Sequence, residues 1–202
     1  MNSHQHLRRL YMPVLLVAVF MVISSKADAH AIGQTLGDFY NGLLHPLSVL
    51  VYALPILVLS ILTGQQGKLK TRRSMAVFII TLISGLLVST YSGLSSIFIT
   101  INYASFIVLG ILVAAGLNLP SVVLFLLVGL FGFVFGYLNG LELPSAASPV
   151  LFSLGVVTGF ILFFLWITAL TLSLKKHWFQ IGLRVVGSWV AAIGLLLLGL
   201  YM

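Results

Sequence analysis

Apolar residues in this chain come in long runs, without the strict alternation of a strand or the three-to-four spacing of a water-facing helix. Six runs are long enough to cross a membrane, at 43–63, 75–93, 97–115, 121–138, 149–174 and 185–202. Each can span about 30 Å of hydrocarbon at about 1.5 Å per residue. Runs this uniformly apolar lack the period-two pattern of a barrel strand, and unpaired backbone groups are too costly in lipid for anything but helices. The pattern predicts an all-α polytopic membrane helix bundle of six transmembrane helices. Ahead of it, Arg8 and Arg9, the apolar stretch Leu10 to Ile23, and Ala27-Asp28-Ala29 follow the order of a secretory signal peptide. The expected organisation is a cleaved signal peptide, 1–29, and a six-helix transmembrane domain, 30–202, with His30 as the new first residue. An uncleaved first helix is the alternative.

The polar segments between the runs orient the chain. Lys68, Lys70, Arg72 and Arg73 lie in 64–74, and Lys175, Lys176 and Arg184 in 175–184. Basic loops stay in the cytoplasm. That puts the mature N-terminus and the loop 139–148 outside, in an inner (plasma) membrane protein. These clusters supply most of a formal net charge of +7, from ten Lys+Arg against three Asp+Glu. Lying between apolar runs, they read as topology signals, so the expected partner is the lipid bilayer and no nucleic acid.

Composition excludes several classes. At 60% hydrophobic and 6% charged the chain is not a soluble domain. The absence of Cys rules out disulfides, thiolate metal sites and a Cys nucleophile. No P-loop, HExxH or dinucleotide fingerprint occurs, so no enzyme is expected. Glycines at Gly129, Gly132, Gly136 and Gly140, and at Gly155 and Gly159, have the spacing that lets helix backbones approach. Packing within the bundle is the expected use, and a homo-oligomer face the alternative.

The residues that could carry chemistry gather at the outer ends. After cleavage the carboxylates are Asp38 and Glu142, and the histidines His30, His45 and His177. Asp38 and His45 are seven residues apart, two turns of one helix face. Pro46 suits the first turn of a helix, and Pro55, unable to donate to the Val51 carbonyl, predicts a kink with Tyr52 as a polar neighbour. His45 reads either as a hydrogen-bonding group at the helix mouth or as a metal ligand, since neutral imidazole suits Ni, Cu and Zn. An N-terminal His30 would offer amine and imidazole together. His177, beside Trp178, reads as an interface anchor.

Two stretches resemble a known family. His30, then Gly37, Phe39, Gly42, Leu43, His45, Pro46, Leu47 and Ser48, and later Gly136, Gly140, Glu142, Leu143 and Pro144, are similar to the hydrogenase/urease accessory membrane proteins of the HupE/UreJ type. The resemblance implies uptake of nickel or another divalent transition metal for metalloenzyme maturation, with the ion as cargo and no firm cofactor. His30, Asp38, His45 and Glu142 are then the expected metal residues. The departures are specific. Where the family continues into an Asp-His pair this chain has Val51 and Tyr52. Where the family has H-G-x-x-H-G it has Phe135-Gly136-Tyr137-Leu138-Asn139-Gly140, and Trp166 stands near a further family histidine. Of the family site, His45 and Glu142 remain. These losses keep two alternatives open: a non-metal small-solute transporter using Tyr52, Asn102, Tyr103, Tyr137 and Asn139, and a non-transporting membrane assembly subunit.

Overall fold

The computed structural model describes residues 37–91, 93, 96–142 and 148–201. The expected signal peptide and His30 lie outside the described residues. Among the described residues there are seven helices and no strand: α1 (Asp38–Ser48), α2 (Leu50–Gln65), α3 (Lys68–Ser89), α4 (Ser96–Ala115), α5 (Ser121–Leu141), α6 (Pro149–Ser173) and α7 (His177–Tyr201). By length and composition α3 to α7 can each cross a membrane, five spans, or six if α1 and α2, bent by 72° at their junction, together form one. The protein is a multi-pass membrane helix bundle.

Helices outrun the apolar runs at several edges. The basic residues expected in a loop 64–74 sit on the first turns of α3, and Arg184, expected in a second loop, lies inside α7. Asn139 and Gly140 likewise belong to α5. Hydropathy marks where hydrocarbon ends, whereas the helix goes on until something stops it. Between α2 and α3 the stop is Gly67, at φ +88°, where a side chain would be strained.

α2 is the centre of the bundle and touches every other helix, while α3 pairs with α5, α4 with α7, and α1 with α6. Its residues Ile56, Val58, Leu59 and Leu62 are fully buried. Hydroxyls on this dry path bond to their own helix: Ser60 Oγ donates to the Ile56 carbonyl at 2.6 Å and Thr63 Oγ1 to the Leu59 carbonyl at 2.7 Å. No water is needed there.

Glycine sets all three peripheral pairings. A Cβ on Gly136 would strike the Leu82 carbonyl of α3, one on Gly155 the Phe39 carbonyl of α1, and one on Gly187 would come within 2.7 Å of the Gly110 carbonyl of α4. The expected role of these motifs in packing within the chain therefore holds at Gly132, Gly136, Gly155 and Gly159, while Gly129 meets only ordinary contacts.

The two basic segments lie at one end. Lys70 Nζ donates to Asn118 Oδ1 at 3.0 Å and to the Leu119 carbonyl at 2.6 Å, and the Arg184 guanidinium packs over Gly116, all around the α4–α5 connection. His45 and Glu142 lie at the opposite end of the spans.

Candidate functional site

The site is built on the break between α1 and α2. Pro46, in the last turn of α1, has no N–H to give the Gly42 carbonyl, which weakens the helix there. Ser48 Oγ donates to the His45 carbonyl at 3.0 Å and satisfies one end group. Val49 is extended, at φ −106° and ψ 106°, and its carbonyl accepts from Tyr52 N–H at 2.9 Å and Ala53 N–H at 3.0 Å, which starts α2. A continuous span 43–63, with Pro46 in its first turn and a kink at Pro55, was expected. The bend falls at Val49 instead, and Pro46 closes α1. α2 continues past Pro55 because the carbonyl that Pro55 strands, on Val51, is met from α4 by Asn102 Nδ2 at 3.4 Å.

One carboxylate joins the two halves. Glu142 directly follows α5. His45 Nε2, carrying the ring proton, donates to its Oε2 at 3.0 Å, and Tyr52 Oη donates to its Oε1. His45 belongs to the last turn of α1 and Tyr52 to the first turn of α2, so Glu142 clamps both across the bend. Phe152 of α6 packs edge-on against the imidazole, with ring centres 5.5 Å apart, and fixes its outer side. The Glu142 side chain is 46% exposed and that of His45 21%. Hydrogen bonds in such a half-wet place contribute about 1 kcal/mol each, so the clamp can open. Burial pushes the Glu142 carboxyl up, but the hydrogen bonds from His45 and then Tyr52 outweigh it, and the group sits below its usual value of 4.5.

The expected site residues therefore divide. His45 and Glu142, 97 positions apart, meet. Asp38 lies seven residues before His45 on α1, about 10 Å along the axis, and does not join them. Among the described residues no three His, Cys, Asp or Glu side chains form a group that could enclose a metal. Tyr52 was expected near Pro55 rather than on Glu142. The signal that could have placed it is its position, where the family pattern carries the histidine of its Asp-His pair.

Beneath the clamp a cavity of about 590 Å³ opens between α2, α4 and α5. Tyr52, Asn102, Tyr103 and Glu142 supply its polar wall, and Ile99 and Leu138 are among its apolar ones. The heavy atoms of the clamp also suit a metal ion. Two neighbouring ligands of an octahedral ion, each at about 2.0–2.1 Å, stand about 2.9 Å apart. The 3.0 Å between His45 Nε2 and Glu142 Oε2 matches that edge. An ion could replace the shared proton by a tilt of the imidazole, without the helices parting.

Comparison with known proteins identifies a family. The family model described as HupE / UreJ protein covers residues 17–197. No curated protein and no solved structure matches the chain. With the bundle, the bent first span and the His45–Glu142 pair in place, and nearly the whole length matched, the chain belongs to the HupE/UreJ family.

Proposed function

We propose that this protein is a membrane permease for a divalent transition-metal cation, Ni2+ first, which enters where His45 and Glu142 meet. The observation that carries the reading is their 3.0 Å separation across the α1–α2 break, at the mouth of a cavity. Imidazole and carboxylate are a mixed donor set that first-row divalent ions accept, with affinity rising from Mn2+ to Ni2+ and Cu2+. Two protein ligands with water filling the rest bind weakly, which suits cargo that must leave again. Only neutral imidazole coordinates, so acid opposes binding. Asp38, at the far end of α1, acts as an outer attractor for cations rather than a ligand. In the same proposal the end with the basic segments is cytoplasmic, the clamp faces outward from the inner membrane, and residues 1–29 are removed, which an intact mass starting at His30 would verify.

Uptake of radiolabelled Ni2+ by cells producing the wild type, His45→Ala or His177→Ala tests the function. Accumulation should depend on His45 and not on His177, which heads α7 at the opposite end. Absent uptake in the wild type, or full uptake in His45→Ala, refutes the permease reading. The second reading, a carrier of a non-metal small solute, is favoured by the neutral groups Tyr52, Tyr103 and Asn102 on a largely apolar cavity wall.

A further inference from the structure

The cations of the described residues gather at one end of the bundle, and they are not equally provided for. Lys70 bonds to Asn118 and Leu119, and Arg184 packs over Gly116. The side chains of Lys68, Arg72, Lys175 and Lys176 are exposed and, among the described residues, make no hydrogen bond or ion pair. The described carboxylates give them no counter-charge. Glu142 is paired with His45 at the other end, and Asp38 is on α1, which meets α6 between Phe152 and Gly159, far from Lys175. Lys68 also opens α3, whose Gly67 cap offers no side-chain bond and whose first turn holds no acid. Cations at the positive end of a helix dipole are repelled by it, and an anion placed among them relieves both charges.

These four cations converge on one seam. Phe78 of α3 stacks on Phe164 of α6, with ring centres 4.8 Å apart. From that stack Lys68 is about 15 Å back along α3, and Lys175 about 16 Å on along α6 and the turn after it, so both reach one level. An apolar groove of about 390 Å³ lies farther up the same seam, lined by Ile83 and Leu87 from α3 and by Val150 and Val157 from α6. Steps of three and four residues carry the Ile83 face back through Ile79, Ala76 and Arg72 to Lys68. Arg72 and Lys68 therefore stand on the α6 side of α3, toward Lys175 and Lys176. Orientation in the membrane asks only that cations lie on one side of it, not that they meet on one seam. Trp178, 61% exposed and just past Lys176, marks this level as the membrane interface. Half of a hydrocarbon core of about 30 Å is about 15 Å, and Ile83 lies about 16 Å along α3 from Arg72. An acyl chain whose headgroup is held at Arg72 thus ends where the apolar groove begins.

We propose that the basic end of the α3–α6 seam binds an anionic phospholipid, whose headgroup phosphate lies among Lys68, Arg72, Lys175 and Lys176 and whose acyl chain follows the seam. Basic pockets between spans take such headgroups through charge-assisted hydrogen bonds to phosphate oxygens, and the Arg72 guanidinium can give two at once. The site is independent of the permease reading. Full-length protein in detergent is titrated with phosphatidylglycerol or with phosphatidylcholine of the same chains, and bound lipids are counted by native mass spectrometry. The wild type should take one phosphatidylglycerol roughly tenfold or more tightly than phosphatidylcholine. Each cation near an anionic lipid is worth about a fivefold factor, so Arg72→Gln and Lys175→Gln should each bind phosphatidylglycerol roughly fivefold more weakly, and the double variant roughly twentyfold. Both positions are exposed, so the variants keep the fold. Arg184→Gln has the same net charge as either single variant but lies off the seam, and should bind within about twofold of the wild type. Inorganic phosphate in excess should leave the lipid bound. No preference for phosphatidylglycerol in the wild type, or an equal loss in Arg184→Gln and Arg72→Gln, overturns the site. Displacement by inorganic phosphate overturns the lipid as its occupant.

Discussion

Gly155→Ala should loosen the bundle and open the clamp from a distance. A Cβ at Gly155 would lie 2.7 Å from the Leu43 nitrogen and 3.0 Å from the Gly42 carbonyl carbon, and it would strike the Phe39 carbonyl oxygen more closely still. Ordinary contact is about 3.5 Å, so α1 must withdraw from α6 by roughly 0.8 Å or more. Backbone cannot swing aside as a side chain can, and overpacking of this kind costs about 1–3 kcal/mol. His45 lies two residues beyond Leu43 and travels with it. A shift of this size takes the 3.0 Å bond to Glu142 past hydrogen-bonding range, which adds about 1 kcal/mol. The expected total is about 2–4 kcal/mol. Gly182→Ala is the internal control: a Cβ there meets nothing within 4 Å, and the helix should gain about 0.5–1 kcal/mol from losing a glycine. Thermal midpoints of both variants and the wild type in one detergent decide the matter. If Gly155→Ala melts at or above the wild type, the close approach of α1 to α6 is wrong, and with it the account of how His45 is held.

Acid should weaken the fold through Glu142. Its folded value lies below 4.5, so its contribution is complete above 4.5 and is lost as pH falls through the lower folded value; melting from pH 6 downward should show this loss in the wild type, and Glu142→Gln should flatten it. An unchanged acid slope in Glu142→Gln would mean the clamp contributes nothing. Cysteine labelling tests orientation: Tyr91→Cys, 92% exposed between α3 and α4, should react with an impermeant reagent added outside cells, and Lys68→Cys should react only after lysis. The reverse pattern would invert the topology.

The apolar runs announced the bundle because lipid leaves the backbone one solution, and the glycine spacing announced its seams because close approach needs positions without a side chain. The break in the first span was legible only as a tendency. Pro46 and Pro55 are both visible, yet which one bends the chain depends on Asn102 meeting the Val51 carbonyl from 51 positions away, a contact no local pattern contains. Topology put His45 and Glu142 at the same outer face and the family resemblance joined them in one site, since nothing in their own neighbourhoods points from one to the other. Asp38 was drawn in by helical spacing and by the resemblance, but the same spacing sets it two turns, about 10 Å, from His45 along α1.

The 72° bend has an electrical consequence. Turning the chain aside at Val49 leaves α2 with 16 residues, about 24 Å of helix, where α6 and α7 have 25 each, or about 37 Å. Were the cavity beside the bend filled with water, the dry path around α2 would be shorter than a straight span would have left. Membrane voltage falls across the dry part, and a unit charge exchanges about 2.3 kcal/mol per 100 mV in crossing it. For the divalent ion of the proposed permease the figure would be about 4.6 kcal/mol. On the permease reading the bend would thereby turn an even barrier into a shallow approach followed by one short, steep drop.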